Sequence, residues 1–119
     1  MFKLELRFKS LVVREYASQN GEVRFIGRDL ANHIVVDEPD VSPMHAGIAQ
    51  IENELFVWDE DSTHGTVVNG DRIICTRLKD GDIVSIGMHH TLIALILDKD
   101  RDTTLTSAYD RQGNLKTAV

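Results

Sequence analysis

The chain has 119 residues, 13 Lys+Arg against 19 Asp+Glu for a formal net charge of −6, and is 42% hydrophobic and 27% charged. That length fits one domain whose core needs no staple, and the composition excludes wholesale disorder. The acidic balance argues against a general nucleic-acid binder, whose affinity rests on phosphate neutralisation, but leaves room for a local anion site.

At the N-terminus Phe2, Leu4, Leu6 and Phe8 alternate with Lys3, Glu5, Arg7 and Lys9. Period 2 puts the apolar side chains on one face and the charges on the other, which predicts a half-buried strand. Val12–Tyr16 and Glu22–Ile26 flank Asn20-Gly21, a hairpin signal because both turn residues tolerate positive φ. Pro39 breaks the segment 37–40. Ala46–Ile51 and Leu55–Trp58 flank Glu52-Asn53, and Thr66–Val68 and Arg72–Cys75 flank Asn69-Gly70, the latter read as a hairpin turn. Asp80-Gly81 precedes Ile83–Ile86, and Gly87 precedes Thr91–Leu97. Trp58 and the phenylalanines are assigned to the core, and Cys75 reads as a small buried hydrophobe unable to form an intrachain disulfide. Leu92–Leu97 is apolar at every position, which predicts a strand covered on both faces.

Short β-branched runs at this spacing, with no amphipathic helix between them, predict an all-β sandwich or barrel. The longest apolar run falls far short of the ~20 residues of a membrane helix. The N-terminus lacks the apolar core of a signal peptide, so no membrane association and a cytoplasmic setting are expected. After Leu97 the composition turns polar. The domain is therefore assigned to residues 1–97, and residues 98–119 to a poorly ordered tail or linker.

Four pieces between the predicted strands carry the chemistry: Gly27-Arg28; Ser42-x-x-His45; Asp59-x-x-Ser62-x-His64-Gly65-Thr66-x-x-Asn69-Gly70; and Leu78-Lys79-Asp80-Gly81-Asp82. In this order and spacing they resemble the forkhead-associated (FHA) domain, over about Phe2 to Leu97. The resemblance implies a twisted β-sandwich of eleven strands with a phosphothreonine peptide bound by loops at one end. It also implies Arg28, Ser42, Thr63 and His64 as phosphopeptide-binding residues, with Gly27, His45, Gly65 and Asn69 supporting the loops. The chemistry suits the role: phosphothreonine carries about −1.5 to −2 charges, Arg28 offers a permanently charged planar fork, and Ser42 and Thr63 offer hydroxyls.

Two positions depart from the family pattern. His64 stands where an asparagine usually holds the peptide main chain. A neutral imidazole keeps one donor and one acceptor, and makes binding pH-sensitive near neutrality if it touches the ligand. Pro43 stands where many members have Arg, Lys or Asn, and removes a backbone donor.

Plainer readings stand beside these. Arg28 can be a solvated loop residue or an ion-pair partner of Asp29, Asp37 or Asp40, and Ser42 and Thr63 can be turn caps. The five histidines fit no zinc spacing. The segment 59–64 fails as a calcium loop because His64 sits where the turn requires Gly. No metal and no cofactor are therefore expected. No nucleophile–base pair or Gly-rich phosphate loop argues for an enzyme.

The expected function is a phosphothreonine-binding module in Ser/Thr kinase signalling, with a threonine-phosphorylated protein as partner. A phosphate-independent assembly or docking domain attached to an effector is the alternative, motivated by Pro43, His64 and the acidic balance. Thr103 and Thr104 in the acidic tail are candidate phosphosites, which would make the chain's own tail a tethered ligand; an ordinary polar tail is the plainer reading.

Overall fold

The computed structural model describes residues 2–96. These form eleven strands and no helix: β1 Phe2–Phe8, β2 Leu11–Ser18, β3 Val23–Gly27, β4 Ile34–Val35, β5 Ala46–Ile51, β6 Glu54–Asp59, β7 Thr66–Val68, β8 Asp71–Ile73, β9 Cys75–Leu78, β10 Ile83–Ile86 and β11 His90–Ile96. A six-stranded sheet in the order β2-β1-β11-β10-β7-β8 packs on a five-stranded sheet in the order β4-β3-β5-β6-β9. Every pairing is antiparallel except β3 with β4. Among the described residues no helix is long and apolar enough to cross a membrane. The assigned tail 98–119, with Thr103 and Thr104, and the predicted strand end at Leu97 lie outside the described residues.

The alternation of β1 shows in its burial, except that Phe8 is only half-buried and Glu5 is buried. Leu4 and Leu6 are buried, and the register carries Leu6 across Leu92 and Val84 to Val68 on four consecutive strands. Ile26, Ala46, Ile48, Leu55, Val57 and Leu78 answer from the five-stranded sheet and complete one core. Each fully buried aliphatic side chain contributes about 1.5–3 kcal/mol relative to exposure.

Four sequence expectations are corrected here. Asn20-Gly21 does not close a hairpin, because β2 pairs with β1 while β3 pairs with β4 and β5. Gly21 takes the positive φ of 80°, but the Asn20 side chain instead accepts from the Glu52 N–H at 2.6 Å. The turn thus passes the chain from one sheet to the other.

The aromatic residues are not all core. Of the four phenylalanines only Phe2 is buried. Phe25, Gly47, Trp58 and Cys75 instead form one row across the outer face of the five-stranded sheet. Phe25 meets Trp58 edge-on at 6.4 Å. A Cβ on Gly47 would lie 2.3 Å from the Trp58 ring, so the glycine is the seat of the indole. Cys75 is exposed, because in β9 it is Leu78, three residues on and on the opposite face, that points inward. Finally, β11 is covered fully on one face only: Leu92 and Ala94 are buried while Ile93 and Leu95 are half-buried.

Candidate functional site

The end of the sandwich where β3 stops gathers three segments: the turn after β3, the β4–β5 loop and the β6–β7 loop. The sequence forces the first two together. A Cβ on Gly27 would fall 2.2 Å from the Pro43 carbonyl oxygen and 2.7 Å from Asn32 Nδ2, so only glycine permits this approach. The Arg28 N–H donates to the Ser42 carbonyl at 3.0 Å, and the Asp29 N–H to the Pro43 carbonyl at 3.2 Å. Asn32 Nδ2 donates to the Pro43 carbonyl at 2.6 Å and the Asp29 carbonyl at 2.8 Å.

His45 joins the third segment. It is fully buried. Nδ1 accepts from the Ser42 N–H at 3.1 Å, so the ring proton sits on Nε2, which donates to the Gly65 carbonyl at 2.9 Å. Both ring nitrogens of a neutral imidazole are thereby satisfied. The β6–β7 loop is folded around Asp59. Its Oδ1 accepts from the Ser62 hydroxyl at 2.5 Å and the Thr66 hydroxyl at 2.7 Å, and its Oδ2 from the Ser62 N–H at 3.0 Å. The Ser62 Oγ in turn accepts from the Gly65 N–H at 2.9 Å. Burial raises the Asp59 carboxyl, but the Ser62 and Thr66 hydrogen bonds outweigh it and hold the group below its ordinary value of 3.8.

On this frame Arg28, Ser42, Thr63 and His64 line one cleft of about 120 Å³, together with Pro43 and Asp40. Arg28 is exposed, and among the described residues it has no ion pair with any carboxylate. The pairs with Asp29, Asp37 or Asp40 weighed from the sequence are absent. The Ser42 Oγ accepts from the Thr63 N–H at 2.9 Å, which leaves its own hydrogen available to an acceptor in the cleft. Asp40 is held at the border, where its Oδ2 accepts from the Met88 N–H at 2.7 Å. A second cavity of about 290 Å³ adjoins the first, sharing Asp40 and His64 and reaching Val67, Ser85 and Met88.

Gly27, His45 and Gly65 lie within this frame. Asn69 does not; it sits at the β7–β8 turn, where its side chain donates to Asp82 at 2.9 Å and accepts from the Ile83 N–H at 2.9 Å. Asn32 and Arg72 escaped the sequence reading. Asn32 is a common loop residue whose distant partner, Pro43, no local pattern reveals. Arg72 comes from β8, and a Cβ on Gly65 would lie 2.4 Å from its Nε, so a second guanidinium covers the His64–Gly65 corner. Among the described residues no group of three or more His, Cys, Asp or Glu side chains is placed to hold a metal.

Among the described residues the cleft therefore offers a planar cation without an ion pair beside the Ser42 and Thr63 hydroxyls, an arrangement that suits a tetrahedral oxyanion. A family model described as FHA domain matches residues 24–87. An ABC transporter ATP-binding/permease protein of Mycobacterium tuberculosis is 42% identical over 67 residues, covering 56% of this chain and 8% of that protein; the chain thus spans a small part of that relative. The FHA domain of a Chlamydia trachomatis protein superposes with a TM-score of 0.72 at 23% identity, over 79% of this chain and 95% of that one. Mycobacterium tuberculosis EmbR in complex with a low-affinity phosphopeptide superposes with a TM-score of 0.68 at 30% identity, over 79% of this chain and 24% of that one. A structure described as bearing on phosphothreonine-dependent FHA domain interactions gives 0.70 at 29% identity, over 79% and 94%.

Proposed function

The chain belongs to the FHA domain family, and on that premise we propose that it is a binding module, not an enzyme, which docks a threonine-phosphorylated partner in Ser/Thr kinase signalling on the cytoplasmic side. The observation that carries this reading is the Arg28 guanidinium, exposed and without an ion pair among the described residues, at a cleft it shares with Ser42 and Thr63. The phosphopeptide bound by EmbR and the phosphothreonine dependence described for a second neighbour support it by analogy.

In this mechanism Arg28 supplies the charge, and the Ser42 and Thr63 hydroxyls fill two of the phosphate's acceptor sites. Removing the phosphate removes the doubly charged acceptor that Arg28 pairs with in this reading, so phosphorylation is the switch. Pro43 contributes no N–H, which leaves the affinity to side chains. His64, which lines both cavities, holds the peptide beside the phosphothreonine in this reading. His45 and Asp59 act indirectly by fixing the loops.

The deciding experiment is a titration with a phosphothreonine peptide library against wild type and Arg28→Ala, with unphosphorylated peptides as controls. The reading expects binding by wild type, none without phosphate, and strong loss in the variant. Equal binding by both proteins removes the proposed site. Equal binding of phosphorylated and unphosphorylated peptides transfers the function to phosphate-independent docking.

A further inference from the structure

The two cavities at the binding end do not stop there. Met88, which borders the second, also borders a third groove of about 330 Å³ on the outer face of the six-stranded sheet. Its apolar part is formed by Ile83, Ile93 and Met88, and its polar part includes Arg7, Lys9 and His89. Ile83 and Met88 are 42% and 82% exposed, so this apolar surface is open.

In a chain of net charge −6 no carboxylate among the described residues lines the groove, although Glu38 lies 3.8 Å from His89. Arg7 is partly neutralised by Glu5 at 2.6 Å, but among the described residues Lys9 has no ion pair. Lys9 also stands at an unfavourable backbone position. It and Ser10 form the β1–β2 turn with φ values of 49° and 77°, whereas the β7–β8 turn gives the corresponding positions to Asn69 and Gly70 at 50° and 90°. A left-handed turn built from lysine and serine carries strain that Asn-Gly avoids, and such strain concentrates at functional surfaces.

Resting on the reading of the Arg28 cleft as the phosphothreonine site, we propose that this groove extends that site and binds an acidic stretch with apolar residues, on the same partner, beside the phosphothreonine. The acidic side chains meet Lys9, and the apolar ones lie on Ile83, Ile93 and Met88. A partner tethered by its phosphate reaches the groove through the continuous surface from His64 to Met88, so a weak contact there adds to affinity without having to hold the partner alone.

The full chain is titrated with five synthetic peptides: a short phosphothreonine peptide, the same peptide lengthened on one side or the other by an acidic-apolar stretch, and both lengthened peptides with their acidic residues made neutral. An acidic extension on one side is expected to tighten binding by roughly fivefold over the neutral one, a gain that shrinks with added salt. Lys9→Glu is expected to abolish that gain while binding the short peptide like wild type, which also certifies its fold; Lys9→Ala gives an intermediate result. If acidic and neutral extensions bind alike on both sides, or if Lys9→Glu keeps the gain, the groove proposal is overturned while the phosphothreonine reading stands. If Arg28→Ala binds the short phosphorylated peptide as wild type does, both fall.

Discussion

Arg28 and Asp59 belong to the same end of the sandwich and do opposite work. Arg28 is exposed and makes no ion pair among the described residues, so their packing draws little on its charge. Arg28→Ala should lose one or two charge-assisted hydrogen bonds of about 1.5–3 kcal/mol each, a tenfold or greater weakening of phosphopeptide binding by calorimetry. Its melting temperature should stay near wild type, since surface substitutions usually stay within about 0.5 kcal/mol. Asp59 serves the fold. Its carboxyl sits below 3.8 in the folded chain because the Ser62 and Thr66 bonds to the charged form outweigh burial. A group lowered in this way stabilises the folded state above its unfolded value, and the contribution disappears as pH falls through the folded value. Urea titrations from pH 6 downwards should show wild type losing stability below about pH 4. Asp59→Asn should start lower and lose less over the same range.

Strand pairing explains features that single residues cannot. Gly47 lies between Phe25 and Trp58 in register, and a Cβ there meets the indole at 2.3 Å. Gly47→Ala should destabilise by about 1–3 kcal/mol, the usual cost of overpacking, with a shift in tryptophan emission read in the same denaturation experiment. The β1–β2 turn predicts the opposite sign. Replacing Lys9-Ser10 by Asn-Gly should stabilise the chain by about 1 kcal/mol or more, by relieving two left-handed residues. The same replacement should cost the acidic-peptide gain. Element by element, the sequence was legible wherever one face is dry: β1 followed from its period of 2, and the Asn69-Gly70 hairpin from its turn chemistry. Asn20-Gly21 misled because turn residues specify φ and not the strand's partner. Trp58, Phe25 and Cys75 misled because residue type does not say which face of the sheet a position occupies, and that is set by register.

At the scale of the whole molecule, the site exists only because the two sheets share an end. Arg28 and Ser42 come from the five-stranded sheet's connections, Thr63 and His64 from the loop that crosses between sheets, and Met88 from the six-stranded sheet. The sequence order of these residues was visible, but their convergence depends on His45, Asp59 and Asn32, whose partners lie up to twenty residues away. A ligand that bridges these segments binds only the folded chain. Saturation with phosphothreonine peptide at a hundred times its dissociation constant should therefore add about 2.7 kcal/mol to stability. Thermal unfolding should show a concentration-dependent rise in wild type and a markedly smaller one in Arg28→Ala at the same peptide concentrations.

The outer row ending in Cys75 has a practical corollary. The chain carries one thiol and one indole, and the register pairs Cys75 directly with Trp58. A maleimide dye attached at that sulfur would be quenched by its neighbour in the native sheet and would brighten once the edge strand peels away. The natural sequence, with no added cysteine or tryptophan, thus supplies its own optical gauge of β9 detachment.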